Sequence, residues 1–141
     1  MFDTCITLFN YDASEDTYYG TLIDYTEFQP IYKTEPNVMG TENKTSCLVI
    51  IPYTSKKGVI YITSGDTKQY YVPPKEWEKR SNKVDCFTFQ TDTDFIIKGN
   101  KNDLTDVNLN DMKNNFDNVF VINQVKDFDK WFIQHFELTV N

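Results

Sequence analysis

The stretch from Tyr70 to Gly99 constrains the fold more than any other part of the chain. It reads Y-Y-V-P-P-K-E-W, then a polar break, then F-T-F-Q-T-D-T-D-F-I-I-K-G. Pro73-Pro74 interrupts any continuing strand. It also places Pro74 at the first position of a short P-K-E-W-E-K-R helix, where a missing N–H costs nothing. Cys86 to Gln90 and Asp94 to Lys98 then read as two aromatic and β-branched strands around T-D-T. Short strands divided by prolines and acidic turns predict a mainly β protein.

The rest of the chain agrees. Phe2 to Phe9 and Tyr18 to Tyr25 read as a hairpin around the polar segment Asn10 to Asp16, with Gly20 a possible bulge. Phe28 to Tyr32 extends the second strand past a kink at Pro30. Lys33 to Lys44 reads as a long polar loop. Ser46 to Pro52 (S-C-L-V-I-I-P) is a strand whose unbroken apolar run predicts cover on both faces. Tyr53 to Gly65 carries turn signals around Val59 to Ile62, as a hairpin arm or a loop tip. Gln69 to Val72 is short and extended. Asp103 to Asn115 reads as a helix capped by Asp103 or Asp106, with Leu109, Met112 and Phe116 on one apolar stripe. Asn118 to Val125 and Trp131 to Val140 are the last strands, joined by a turn at Lys126 to Lys130. In the final strand Phe136, Leu138 and Val140 share one face, and His135, Glu137 and Thr139 the other.

With 141 residues, the expectation is one domain over residues 1–141. About seven strands and one convincing helix predict a single small antiparallel β-barrel or sandwich, with one packed α-helix and long loops. Aromatic residues make up 16% of the chain, enough large rings to fill a small β core and leave some for contacts with partners.

Composition weighs against several kinds of chemistry. The net charge is −7, with one arginine and one histidine, so gripping a phosphate backbone is disfavoured. Cys5, Cys47 and Cys86 are widely spaced and sit in strand-like surroundings. They read as small buried hydrophobes in a reducing compartment, neither a disulfide framework nor a metal set. His135 lies in a strand beside polar residues, a poor context for a catalytic base. Asp92 to Asp94 lacks the other ligands of a calcium loop and reads as a solvated turn. Phe87 and Phe89 read as core in preference to a base-stacking platform. No enzyme activity, cofactor or metal is expected. Met1 to Thr4 does not open a signal peptide, and the longest apolar run, Leu48 to Ile51, is far too short to span a bilayer.

Taken in order, I-T-L-F-N-Y, Y-x-x-T-x-I, L-V-I-I-P-Y, Y-V-P-P-K-E-W, F-T-F-Q-T-D-T-D-F-I-I-K-G, D-N-V-F-V-I-N-Q-V-x-D-F and W-F-I-Q-H-F-E-L resemble a family of small phage proteins of Gram-positive hosts. These are the minor capsid or head–tail joining proteins. The likeness covers nearly the whole chain, although T-D-T-D stands where a glycine turn is commoner. It implies a non-enzymatic head-completion or stopper protein, made in the host cytoplasm and carried in the neck of the virion. It further implies a ring on the order of six or twelve copies, twelve preferred, between portal or adaptor proteins and the tail terminator. DNA passes through that ring without sequence-specific binding, and no membrane is involved.

The acidic charge is consistent with a channel wall that lets DNA slide. Ile60, Tyr61, Tyr70 and Tyr71, in the segment Tyr53 to Tyr71, are the expected subunit interface or channel loop. Two alternatives stand beside this reading. One is a tail terminator or tail-completion protein. The other is a β-barrel ligand-binding module with Trp77 and tyrosines as its platform.

Overall fold

The structure is a computed structural model, and it describes residues 2–31 and 46–141. The loop expected at Lys33 to Lys44 lies outside the described residues. In chain order the elements are β1 (Thr4–Asp12), β2 (Thr17–Ile31), β3 (Ser46–Pro52), β4 (Thr54–Lys56), β5 (Val59–Ser64), β6 (Thr67–Tyr71), α1 (Pro74–Lys79), β7 (Cys86–Phe87), β8 (Phe95–Lys98), α2 (Leu109–Asn115), β9 (Val119–Phe128) and β10 (His135–Val140). The expected mainly β architecture is present, with a closed antiparallel barrel in the order β1-β2-β3-β10-β9-β8 and a second sheet in the order β4-β5-β6-β7.

Alternation explains the barrel. Ile6, Leu8, Val49, Ile51, Ile96, Ile122, Phe136 and Leu138 point inward and pack into one cluster. Phe136, Leu138 and Val140 share the inward face as expected. β3 differs from expectation, because only Cys47, Val49 and Ile51 are buried while Leu48 and Ile50 are half-exposed. The strands covered on both faces are β1 and β8. There Phe9, Phe95 and Ile97 turn outward under Met112 of α2. Leu109 and Phe116 pack on the same cluster, so the predicted stripe faces inward. The cap of α2 is Asn108, whose side chain accepts from the backbone N–H groups of Asn110 and Asp111. The helix is therefore shorter than expected and capped neither by Asp103 nor by Asp106.

The second sheet leans on the barrel through Ile62 and Phe87, both members of the main core cluster. Lys57 and Gly58 both take positive φ (52° and 80°) between β4 and β5, the conformation of a tight two-residue hairpin turn. α1 follows, with Pro74 at its first position and Trp77 buried beneath it. Among the described residues the short helix expected at Pro74 and the longer one expected within Asp103 to Asn115 are both present, two packed helices where the fold reading counted one.

Several local expectations are corrected. The β1–β2 turn is confined to Ala13–Asp16, since the strand runs on to Asp12. β2 continues to Ile31 without a break, because Pro30 stands one residue from its end, where a missing donor is tolerated. The bulge is not at Gly20. Ile6 pairs with Ile23 and Thr4 with Thr26, so Asp24 and Tyr25 together oppose Cys5. Gly20 has a packing reason instead, since a Cβ there would stand 2.7 Å from Asn102 Oδ1 and 3.2 Å from the Phe9 ring.

The two strands around T-D-T do not pair with each other. β7 joins β6 in parallel, and β8 belongs to the barrel between β1 and β9. Beyond Phe87 the backbone is held by side chains. Asn10 Nδ2 donates to the Thr88 carbonyl at 2.6 Å, and the Thr88 N–H donates to Asn10 Oδ1 at 3.2 Å. An amide side chain thus substitutes for a ladder partner.

Candidate interaction surface

The four residues singled out from the sequence fall on two faces of the second sheet. Tyr61 and Tyr70 are cross-strand partners on β5 and β6, with ring centroids 6.1 Å apart. Lys68 Nζ stands 4.8 Å over the Tyr61 ring, and Tyr70 is exposed. Ile60 and Tyr71 point the other way and pack against the main core. The Tyr71 ring lies 4.8 Å from Phe136 and 5.8 Å from Phe87 and Phe89. Of these four residues, Tyr61 and Tyr70 therefore present aromatic surface outward, and Ile60 and Tyr71 do not. Phe87 and Phe89 are buried core, as expected. Trp77 is buried too, and so is no ligand platform.

Beside Tyr61 opens a cleft of about 340 Å³, lined by Ile23, Tyr25, Pro52, Tyr53, Tyr61 and Ile62 among others. The β2 bulge shapes its rim. An extra residue in one strand re-aims the next side chain, and Tyr25 is turned outward to 63% exposure. Tyr53 is fixed at the floor. Its ring packs 4.7 Å from Phe136, and its hydroxyl donates to Asp127 Oδ1 at 2.7 Å. Burial, together with that carboxylate, pushes the Tyr53 hydroxyl far above its ordinary pKa, so it stays a neutral donor.

Among the described residues, the most exposed apolar feature is one that strand reasoning concealed. Trp131 to Val140 was expected to be one strand, yet β10 begins only at His135. Trp131, Phe132 and Ile133 form the tip between β9 and β10, exposed to 64%, 103% and 49%. The tip is braced from within. Phe128 stacks on His135 at 4.9 Å and meets Trp131 edge-on at 5.7 Å. His135 Nδ1 donates to the Ile133 carbonyl at 2.7 Å, and Gln134 Nε2 donates to the Asp129 carbonyl at 2.9 Å. The signal for a tip was three large apolar residues in succession, which alternating burial on a half-covered strand does not accommodate.

Polar groups are also held inside. Asp94 was expected in a solvated turn but is fully buried. Its carboxylate accepts from the backbone N–H groups of Tyr11 and Gln90 at 2.8 and 2.9 Å, and from Asn10 Nδ2 at 2.7 Å. Burial pushes the Asp94 pKa up to about 6, against the pull of those donors. Asp12 pairs with Lys83 Nζ at 3.2 Å, both side chains being nearly inaccessible. Burial would raise the Asp12 pKa, but hydrogen bonds from Ser14 and Lys83 outweigh it and hold the group below the usual carboxylate range. These groups fasten strands together and stand away from the cleft and the tip. Among the described residues, no group of three His, Cys, Asp or Glu side chains comes together to hold a metal ion. Nor is any helix there long and apolar enough to cross a membrane.

No curated protein and no solved structure matches the chain. One family model does match, over residues 1–141, and the chain belongs to that family, a family of unknown function (DUF6751).

Proposed function

We propose that this protein is a non-catalytic structural component of a tailed phage, a head-completion or stopper protein that forms a ring between portal or adaptor and tail. The observation that carries the proposal is the braced tip Trp131-Phe132-Ile133. Three large apolar side chains held largely in water offer surface that a contact with another molecule would bury, and aromatic anchors of this kind dominate the energy of protein contacts. The outward Tyr61–Tyr70 pair adds a second aromatic surface for a neighbour. The net charge of −7 suits a wall past which DNA slides without sticking. In this reading the barrel supplies a rigid body and the second sheet and the tip supply contacts. The place of action is the virion neck, after synthesis in the host cytoplasm.

Electron microscopy of purified virions tests this. A ring of this chain at the head–tail junction supports the reading. A ring on the tail side alone moves the protein to the tail-terminator role. Absence from the virion overturns both.

A specific observation favours a second reading, a ligand-binding module. The cleft of about 340 Å³ beside Tyr25, Tyr53 and Tyr61 has the size of a small-molecule site. Saturable shifts of the tyrosine ring resonances on titration with apolar or sugar ligands, in a protein that stays monomeric, would establish it.

A further inference from the structure

We infer that the face carrying Tyr25, Tyr61 and Tyr70 binds single-stranded nucleic acid, with one base in the cleft that Tyr25 and Tyr61 line and the phosphates along Lys56, Lys57 and Lys68. This deepens the ligand-binding reading of that cleft by naming its ligand, and it does not depend on the neck reading.

The net charge of −7 conceals a division of the chain. Residues 53–87, which form the second sheet and α1, hold seven of the 14 basic residues and four of the 21 acidic ones. That part is net +3, and the remainder is net −10. Lys83 is buried and paired with Asp12, but Lys56, Lys57, Lys68, Lys75, Lys79 and Arg80 are all exposed. Among the described residues none of these six forms an ion pair within the chain. Cations that hold no carboxylate of their own are available to phosphate oxygens.

The same face carries the rings. Pairing sets Tyr70 opposite Tyr61 and Lys68 opposite Thr63, and Lys56 opposite Val59. Directly opposed residues share a face of a sheet, so Lys56 and Lys68 stand on the side of Tyr61 and Tyr70. Lys68 Nζ already rests 4.8 Å over the Tyr61 ring. Tyr61 also walls the cleft of about 340 Å³, whose lining among the described residues holds no charged side chain. Carboxylates on the adjoining chain are engaged. Asp24 accepts from the Gly65 N–H at 3.0 Å, and Asp127 from the Tyr53 hydroxyl at 2.7 Å. An uncharged, aromatic-walled cleft beside free cations suits a nucleobase and its phosphate. Tyr70, its ring 6.1 Å from Tyr61, offers a second stacking surface. Arg80 shares a further cleft with Tyr70, so positive charge continues past it and the ligand is a strand, not a single nucleotide. Glu76 and Asp85 line that second cleft as well, which keeps the closer phosphate contacts on the lysine side. A duplex stacks its base faces inside, so the strand is single.

The test is fluorescence anisotropy of labelled oligo-dT and oligo-rU of about 15 nucleotides, with a duplex and polyglutamate of matching length as competitors. The expected result is saturable binding of both single strands that weakens about tenfold or more between about 50 and about 200 mM salt, as three phosphate contacts require. Lys56→Glu combined with Lys68→Glu, and Tyr25→Ala and Tyr61→Ala singly, should each weaken binding about tenfold or more. Tyr25 is 63% exposed, so Tyr25→Ala keeps the test decisive even if the Tyr61 variant unfolds. No single-strand binding at the lower salt, competition by the duplex as strong as by the single strand, or affinity that all these variants leave unchanged overturns the inference. Equal competition by polyglutamate overturns it too, and assigns the face to an acidic protein segment. Failure of the ligand-binding reading is separable. Nucleosides or sugars that shift the Tyr25 and Tyr61 resonances, while oligonucleotides bind no more tightly, keep the cleft as a small-molecule site and remove the strand.

Discussion

Asn10 and Asp94 are separated by 84 positions in the chain, and Asn10 Nδ2 donates to Asp94 Oδ2 across 2.7 Å in the closed interior. The same asparagine grips the backbone of Thr88 in both directions. Asp94 in turn collects the N–H groups of Tyr11 and Gln90. One amide and one carboxyl thus fasten β1 to the segment between the two sheets.

The pH dependence of stability should reveal Asp94. Its folded pKa lies above the ordinary carboxylate value, at about 6, so the folded state holds the proton more tightly than the unfolded chain. The resulting stabilisation is full below about pH 4 and disappears as pH rises through about 6. Each pH unit between those two values is worth about 1.4 kcal/mol, so the window holds about 3 kcal/mol. Urea unfolding of wild type and Asp94→Asn from pH 4 to 7 measures it, since the asparagine cannot ionise. Wild-type stability relative to the variant should fall by about 3 kcal/mol over that range. A constant difference would mean that Asp94 does not titrate there.

The Asp12–Lys83 pair works in the opposite sense. The folded pKa of Asp12 is lowered, so its contribution is present at neutral pH and is lost as pH falls below the ordinary carboxylate range. Lys83 Nζ also donates to the Arg80 carbonyl at 2.7 Å, closing the end of α1. Lys83→Met strands a buried carboxylate and should cost about 3–5 kcal/mol at pH 7. Asp12→Leu combined with Lys83→Met should recover part of that loss, because the unpaired charge is gone. Chemical denaturation of Lys83→Met, Asp12→Leu and the double variant decides the matter, and additive losses would exclude coupling between the pair.

Gly20 tests how closely the 101–104 segment packs on the hairpin. An added Cβ meets Asn102 Oδ1 at 2.7 Å and the buried Phe9 ring at 3.2 Å. The exposed Asn102 side chain can swing away, but Phe9 is locked against Phe95 at 5.0 Å. Gly20→Ala should therefore cost about 1–2 kcal/mol in spite of alanine's lower chain entropy. Asn102→Ala should return only a fraction of it. Full rescue by Asn102→Ala would place the whole strain on the loop.

The barrel was legible where burial alternates on a single strand. Phe136, Leu138 and Val140 gave away the inward face of β10, and the Leu109–Met112–Phe116 spacing gave away the covered face of α2. What misled was chain that obeys a partner distant in sequence. C-F-T-F-Q looks like one strand, but its second half satisfies its backbone on Asn10 and Asp94, and nothing local announces that. Asp94 looked solvated because T-D-T-D is a turn sequence, yet the turn folds inward to meet those donors. Gly20 looked like the bulge because glycine often marks one, whereas register places it at Asp24–Tyr25, set by the pairing of β1 with β2. The tip was hidden because a strand pattern was extended backward through W-F-I. Of the four proposed interface residues, chain order alone could not say that Tyr61 and Tyr70 face out while Ile60 and Tyr71 face in.

The two tryptophans offer the sharpest contrast between what stabilises the fold and what the surface holds ready. Trp77 is 1% exposed and Trp131 is 64% exposed. Removing Trp77 opens a large cavity beneath α1 beside Tyr19, whose ring meets it edge-on at 6.1 Å, so Trp77→Ala should cost about 3–5 kcal/mol. Trp131→Ala and Phe132→Ser should each change the unfolding free energy by less than about 0.5–1 kcal/mol, because little of either side chain is packed. Fluorescence separates the two sites directly. In Trp77→Phe the remaining emission, from Trp131, should be red-shifted and readily quenched by acrylamide. In Trp131→Phe the emission from Trp77 should be blue-shifted and protected. If assembly buries the tip, the Trp131 signal alone should become blue-shifted and protected as the protein is concentrated or built into particles. A Trp131 signal that stays red-shifted and readily quenched on assembly would instead place the contact elsewhere on the molecule.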